Sequence, residues 1–173
     1  MNYIQALLAF LNLVKLKLQL QREREILVSG HADLQDLNLL LQQTEKTGIN
    51  VYTQGEMLPA HAYPGLNKVA QLVGNYGTAW QKQKTEIASF PSPVVVTSNC
   101  ILHTRRNYKE RIYTTNEVGL DGVKNITDRK DFIPVIDQAN NMKGFNKIIY
   151  PIRHKEVGYL NYYLTNTKYV HTC

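Results

Sequence analysis

His31, Glu56 and Cys100 each stand just past a short β-favouring run: Ile26-Leu27-Val28-Ser29, Ile49-Asn50-Val51-Tyr52-Thr53 and Val94-Val95-Val96-Thr97. Their side chains offer an imidazole nitrogen, a carboxylate oxygen and a thiolate sulfur. That mixture of hard and soft donors suits iron in a cluster bridged by both sulfide and oxygen. His61, five positions beyond Glu56, is a candidate outer hydrogen-bond donor or proton carrier. Singly, each has an ordinary reading: a hydrogen-bonded loop histidine, a solvated or helix-capping glutamate, a small buried cysteine. A structural loop hydrogen bond accounts for His61 equally well.

The elements that must position these residues alternate between strand and helix patterns. After the first run, 33–46 places Leu34, Leu37, Leu40 and Leu41 at helical spacing, with Asp33 as N-cap and Gly48 where a C-terminal glycine is expected. After the second come a loop at 59–65 and a helix over 79–89, which Pro91 and Pro93 end. The valines of the third run are dense enough for a strand buried on both faces. This alternation predicts an α/β fold, a Rossmann-like parallel sheet with flanking helices, whose strand ends gather ligands along one edge. Further on, 111–115 reads as a strand and 135–140 as a short helix. Gly30, Gly74 and Gly77 read as turn or close-approach positions, and Tyr76 and Trp80 as packing residues.

Composition excludes several classes. Hydrophobic residues at 43% and charged residues at 20% describe a globular chain with a core. The apolar stretch 4–14 ends at Lys15 and Lys17, too short for a spanning helix, and its lysines follow rather than precede it, unlike a secretory leader, so no membrane span is expected. Cys100 and Cys173 do not make a disulfide framework, and the cytoplasm is the expected compartment. Net charge is +6, and Arg105, Arg106, Lys109 and Arg111 cluster around Tyr108. With no recognition motif beside it, that cluster reads as a solvated or covered face, and no nucleic-acid partner is expected.

Longer stretches resemble one family. Tyr52-Thr53-Gln54-Gly55-Glu56-Met57-Leu58-Pro59-Ala60-His61-Ala62-Tyr63-Pro64 is similar to the segment by which hybrid-cluster proteins, the prismane-type hydroxylamine reductases, are recognised. Ile26-Leu27-Val28-Ser29-Gly30-His31, Val73-Gly74-Asn75-Tyr76-Gly77, Thr97-Ser98-Asn99-Cys100 and Val118-Gly119-Leu120-Asp121-Gly122-Val123-Lys124 keep that family's order and approximate spacing. The resemblance covers 26–145. It implies a partial hybrid-cluster domain there, flanked by a non-family apolar helix at 1–25 and an irregular non-family tail at 146–173. It further implies that His31, Glu56 and Cys100 are ligands of the hybrid iron–sulfur–oxygen cluster, with Glu56 and His61 serving the reaction. The substrate would be hydroxylamine or nitric oxide, and the electrons would come from a redox donor protein. The family's second iron–sulfur cluster and its remaining hybrid-cluster ligands have no counterpart among these residues. The expectation is therefore a fragment of an iron–sulfur oxidoreductase, inactive alone; the alternative is a truncated α/β module without a cluster. Within the resemblance, Gln54 replaces a common histidine, Thr78 a common glycine, and Ala32 looks inserted.

Overall fold

The computed structural model describes residues 24–31, 33–77, 80–98, 101, 106–126 and 130–145. The expected N-terminal helix, the C-terminal tail, Cys100, Ala32, Thr78 and Arg105 lie outside the described residues, as does the side chain of Trp80.

Six strands form one sheet: β1 (Arg24–Ser29), β2 (Ile49–Gln54), β3 (Leu72–Asn75), β4 (Val94–Val96), β5 (Ile112–Thr115) and β6 (Lys124–Ile126). Every pairing is parallel, and the spatial order is β3-β2-β1-β4-β5-β6. The sheet thus grows outward in both directions from β1 and β4. In such a doubly wound sheet the crevice opens between those two strands, at their carboxyl ends.

Helices cover both faces, as the α/β reading expects. On one face α1 (Leu34–Gln43) presents Leu37, Leu40 and Leu41 to Ile26, Val28 and Val51, and α3 (Ile133–Asn141) adds Val135, Ile136 and Ala139 to the same core. Residues three and four apart share one side of a helix, so the leucine spacing becomes a buried stripe. On the other face α2 (Gln83–Ser89) packs Ile87 against Leu27, Phe90, Val94 and Val96. Alternation along β1 explains the split: Ile26 and Val28 face one way and Leu27 the other. Tyr52, Tyr76, Phe90 and Phe145 form an aromatic cluster on this second face, edge-on except for the tilted Tyr76–Phe145 pair, with ring centroids 5.1–6.4 Å apart.

Several boundaries differ from the sequence reading. Asp33 caps α1 as expected, its carboxylate accepting the Asp36 N–H at 3.1 Å, but the helix stops at Gln43. Thr44 turns its hydroxyl back onto the Leu40 and Leu41 carbonyls there. Gly48, at φ +73°, lies in the following turn rather than at the helix end. The first part of the segment expected as a loop, 59–62, belongs to a 3-10 helix over Gly55–Ala62. Gly74, expected at a turn or a close chain approach, is a residue of β3. No helix among the described residues is long and apolar enough to cross a membrane.

The basic cluster is not one surface. Arg111 donates to the Ser92, Ile87 and Ala88 carbonyls at 2.8, 2.6 and 3.3 Å, closing the carboxyl end of α2, while its guanidinium lies 6.0 Å from the buried Tyr108 ring. Burial lowers its pKa from the ordinary arginine value. Arg111 is therefore spent on the fold, which thins the cluster to Arg106 and Lys109 among the described residues.

Candidate metal centre

Strand register decides which loop residues meet. Ser29, the last residue of β1, lies opposite Gln54 on β2 and Val96 on β4. His31, Glu56 and Ser98 each follow one of those three by two positions, so parallel pairing delivers all three to the same level above the sheet. His31 Nδ1 and Glu56 Oε2 are in direct contact, with the two side chains 48% and 46% exposed. They are open on one side, so a group can approach them from outside. The His31 N–H donates to Ser98 Oγ at 2.5 Å, across 67 residues of chain. Ser98 was not visible as a site residue in the sequence; only the β1–β4 register singles it out. Cys100 follows Val96 by four positions in sequence, but lies outside the described residues.

The row beneath is cross-linked. Ser29 Oγ donates to Gln54 Oε1 at 2.7 Å, and Gln54 Nε2 donates to Glu86 Oε2 at 3.1 Å. Gln54 thereby ties the ends of β1 and β2 to α2. Glu86 also fills the space beside Gly77, where a Cβ would stand 2.3 Å from its Oε2. Gly30, at φ +140°, lets β1 leave the sheet close against β4: a Cβ would meet the Ser98 and Thr97 hydroxyls at 2.7 Å each.

His61 is placed differently from the other candidates. Its ring is 1% exposed, and Nε2 shares a 2.7 Å hydrogen bond with Thr53 Oγ1. The Thr53 hydroxyl donates its one proton to Asn75 Oδ1 at 2.9 Å, so it accepts from His61, which must carry a proton on Nε2. This chain joins the 3-10 helix carrying Glu56 to β2 and β3. Truncation in His61→Ala empties a buried volume and strips Thr53 of a donor, and should cost about 3 kcal/mol in a urea melt. A change under about 0.5 kcal/mol would mean that the chain carries no stability.

Tyr76 borders this region. Its pKa is raised above the ordinary 10.0, first by burial and then by the Glu86 carboxylate, with Arg111 acting in the opposite sense. A raised tyrosine pKa gives stability that is whole below the unfolded value and is lost as pH rises through the folded one. The chain should therefore lose stability above about pH 10, and Tyr76→Phe should flatten that alkaline limb in pH-dependent melts.

The donor chemistry fits an iron-containing group in part. Imidazole and carboxylate converge at the carboxyl edge, and the third strand end supplies a thiolate in sequence. The buried Thr97 Oγ1, beside Gly30 at the sheet's switch point, has no hydrogen-bond partner among the described residues. Yet no group of three or more His, Cys, Asp or Glu side chains lies close enough to hold a metal ion among the described residues. The structure brings His31 and Glu56 together and places His61 behind them.

Comparison with known proteins gives a matching picture. The profile of the Prismane/CO dehydrogenase family matches residues 11–159. A hydroxylamine reductase from Thermodesulfovibrio yellowstonii is 54% identical over 127 residues, 73% of this chain and 23% of that protein. One from Enterobacter sp. is 59% identical over 121 residues, 69% of this chain and 22% of that protein. One from Acidiphilium cryptum is 53% identical over 124 residues, with 72% and 22% covered. The chain thus spans less than a quarter of the length of these curated relatives.

Proposed function

Because the chain belongs to the Prismane/CO dehydrogenase family, we propose that residues 26–145 are the Rossmann-like part of a hydroxylamine-reductase-type oxidoreductase, supplying His31, Glu56 and Cys100 to its hybrid iron–sulfur–oxygen cluster. The observation that carries this reading is the His31–Glu56 contact, formed by two residues whose strands are paired in register. The reaction is the two-electron, two-proton conversion of hydroxylamine to ammonia and water. When bound, the cluster would supply those electrons, received from a redox donor protein, and an electrophilic iron for the substrate.

The chain's own residues bind and orient. Glu56 offers one carboxylate that can lean toward the metal or toward His31. His31 is held by its backbone N–H on Ser98, which fixes where the imidazole starts. His61 acts through Thr53 and the 3-10 helix rather than by touching substrate, since its Nε2 proton is engaged. Nitric oxide is a second substrate of the same chemical kind, and the compartment proposed is the cytoplasm.

Anaerobic reconstitution of the full chain with iron and sulfide tests the proposal, with metal content measured in wild type and in His31→Ala, Glu56→Ala and Cys100→Ala. Bound iron that falls in all three supports it, with ammonia formation from hydroxylamine staying at background because the ligand set is partial. Iron content indifferent to all three favours a cluster-free α/β module.

A further inference from the structure

Away from the donors, a buried charged cluster joins segments far apart in the chain. Asp36, in the first turn of α1, is 2% exposed, yet its carboxylate meets Lys130 Nζ at 2.8 Å and 3.0 Å. Lys130 Nζ also donates to Asn116 Oδ1. The Asn116 amide nitrogen reaches Asp33 Oδ2 at 2.8 Å, Asp36 Oδ2 at 3.0 Å, the Thr97 carbonyl at 3.1 Å and Thr115 Oγ1 at 3.2 Å. Gln43, on the last turn of α1, holds the Lys130 segment as well: its Nε2 donates to the Lys130 carbonyl, and its Oε1 accepts from the Phe132 N–H, both at 2.8 Å.

Two features set this cluster apart from an ordinary surface pair. Asn116 and Lys130 both have left-handed backbones, at φ +54° and +47°, a conformation that asparagine takes readily and lysine seldom. Both aim at one buried carboxylate, and Lys130 does so from a backbone that a lysine seldom adopts. The segments joined are also specific. Asp33 lies two positions past His31, Thr97 lies three before Cys100, and Asn116 follows the end of β5.

The geometry points to a positioning role: Asp36, Asn116 and Lys130 clamp the β1–α1 turn to the ends of β4 and β5, fixing the spacing between the turn that follows His31 and Thr97 at the end of β4. The clamp works through backbone placement: its hydrogen bonds and ion pair join Asp36, Asn116 and Lys130 to one another and to Asp33, Thr97 and Thr115. It rests on the proposed ligand role only for what those segments carry. Lys130 can place its three N–H donors on the two Asp36 oxygens and Asn116 Oδ1, so it is occupied as a tether.

The test uses the full chain and amide hydrogen exchange in wild type, Lys130→Met and Asn116→Gly. The glycine keeps the left-handed backbone without the amide. If Lys130→Met fails to fold, Asn116→Gly reads the same amides. Exchange at the His31 and Asp36 amides should rise by roughly tenfold or more, while the Ile26 and Val51 amides change by less than about twofold. Co(II) affinity should fall by about tenfold in the same variants. A uniform rise at all four amides, or none, would overturn the clamp by showing an ordinary stabilising pair or no coupling. Unchanged Co(II) affinity in a variant whose loop amides have opened would overturn its link to the donors. If wild type itself binds no Co(II), the ligand proposal fails, and the exchange comparison still decides the clamp.

Discussion

Glu56→Ala is expected to lower the affinity of the chain for Co(II), a spectroscopic stand-in for ferrous iron, by roughly 100-fold or more, and His31→Ala to do the same. Even residues that only orient a metal's ligands cost about 10–100-fold when removed, so deleting a direct donor sits at or beyond that limit. Because His31 Nδ1 and Glu56 Oε2 already touch, the two residues are coupled and their losses should not add simply; removing either leaves the other with Cys100 in the proposed donor set. The double variant should thus bind more weakly than either single one, but by less than the product of the two losses. Isothermal titration under anaerobic conditions reads all three. Both side chains are about half exposed, so the substitutions should leave the urea midpoint almost unmoved. Affinity lost together with stability would mean that the contact serves the fold instead.

Gly30→Ala should have the largest effect on the sheet's switch point. Two costs coincide there: φ of +140°, which a side-chain-bearing residue rarely adopts, and a Cβ only 2.7 Å from the Thr97 and Ser98 hydroxyls. Backbone strain and overpacking each cost about 1–3 kcal/mol, so a loss of about 3 kcal/mol is expected in denaturant melts. The clash also pushes β1 from β4 where the His31 N–H meets Ser98 Oγ, so Co(II) affinity should fall as well. Gly48→Ala is the control, with a positive φ but nothing within 4 Å of an added Cβ. It carries backbone strain without the clash, and should cost about 1 kcal/mol and leave metal binding intact.

How much of this was legible in the sequence depended on whether information was local. The β-branched run Val94-Val95-Val96 and the leucine spacing of α1 announce themselves within a few residues. Strand β3, Leu72-Val73-Gly74-Asn75, does not: its glycine reads as a turn, and only pairing with β2 makes it a strand. At three residues, β6 is too short to show a period. Arg111 looked like part of a surface cluster because sequence carries no sign of the α2 carbonyls it turns inward to meet. The candidate site divides in the same way. His31 and Glu56 were visible as strand-end residues of the right chemical type. Ser98 and the Asp36–Asn116–Lys130 clamp depend on register and on contacts spanning up to 94 residues, which no local pattern encodes.

The central claim is that three strand ends of one sheet bring His31, Glu56 and Cys100 to a single metal. Anaerobic Co(II) titration of the full chain, followed by absorption spectroscopy, addresses it directly. One ion per chain with a thiolate-to-cobalt band is predicted, the band vanishing in Cys100→Ala, surviving in Cys173→Ala and weakening in His31→Ala and Glu56→Ala. A spectrum without thiolate character, or one that the Cys100, His31 and Glu56 substitutions leave unchanged, would contradict the account.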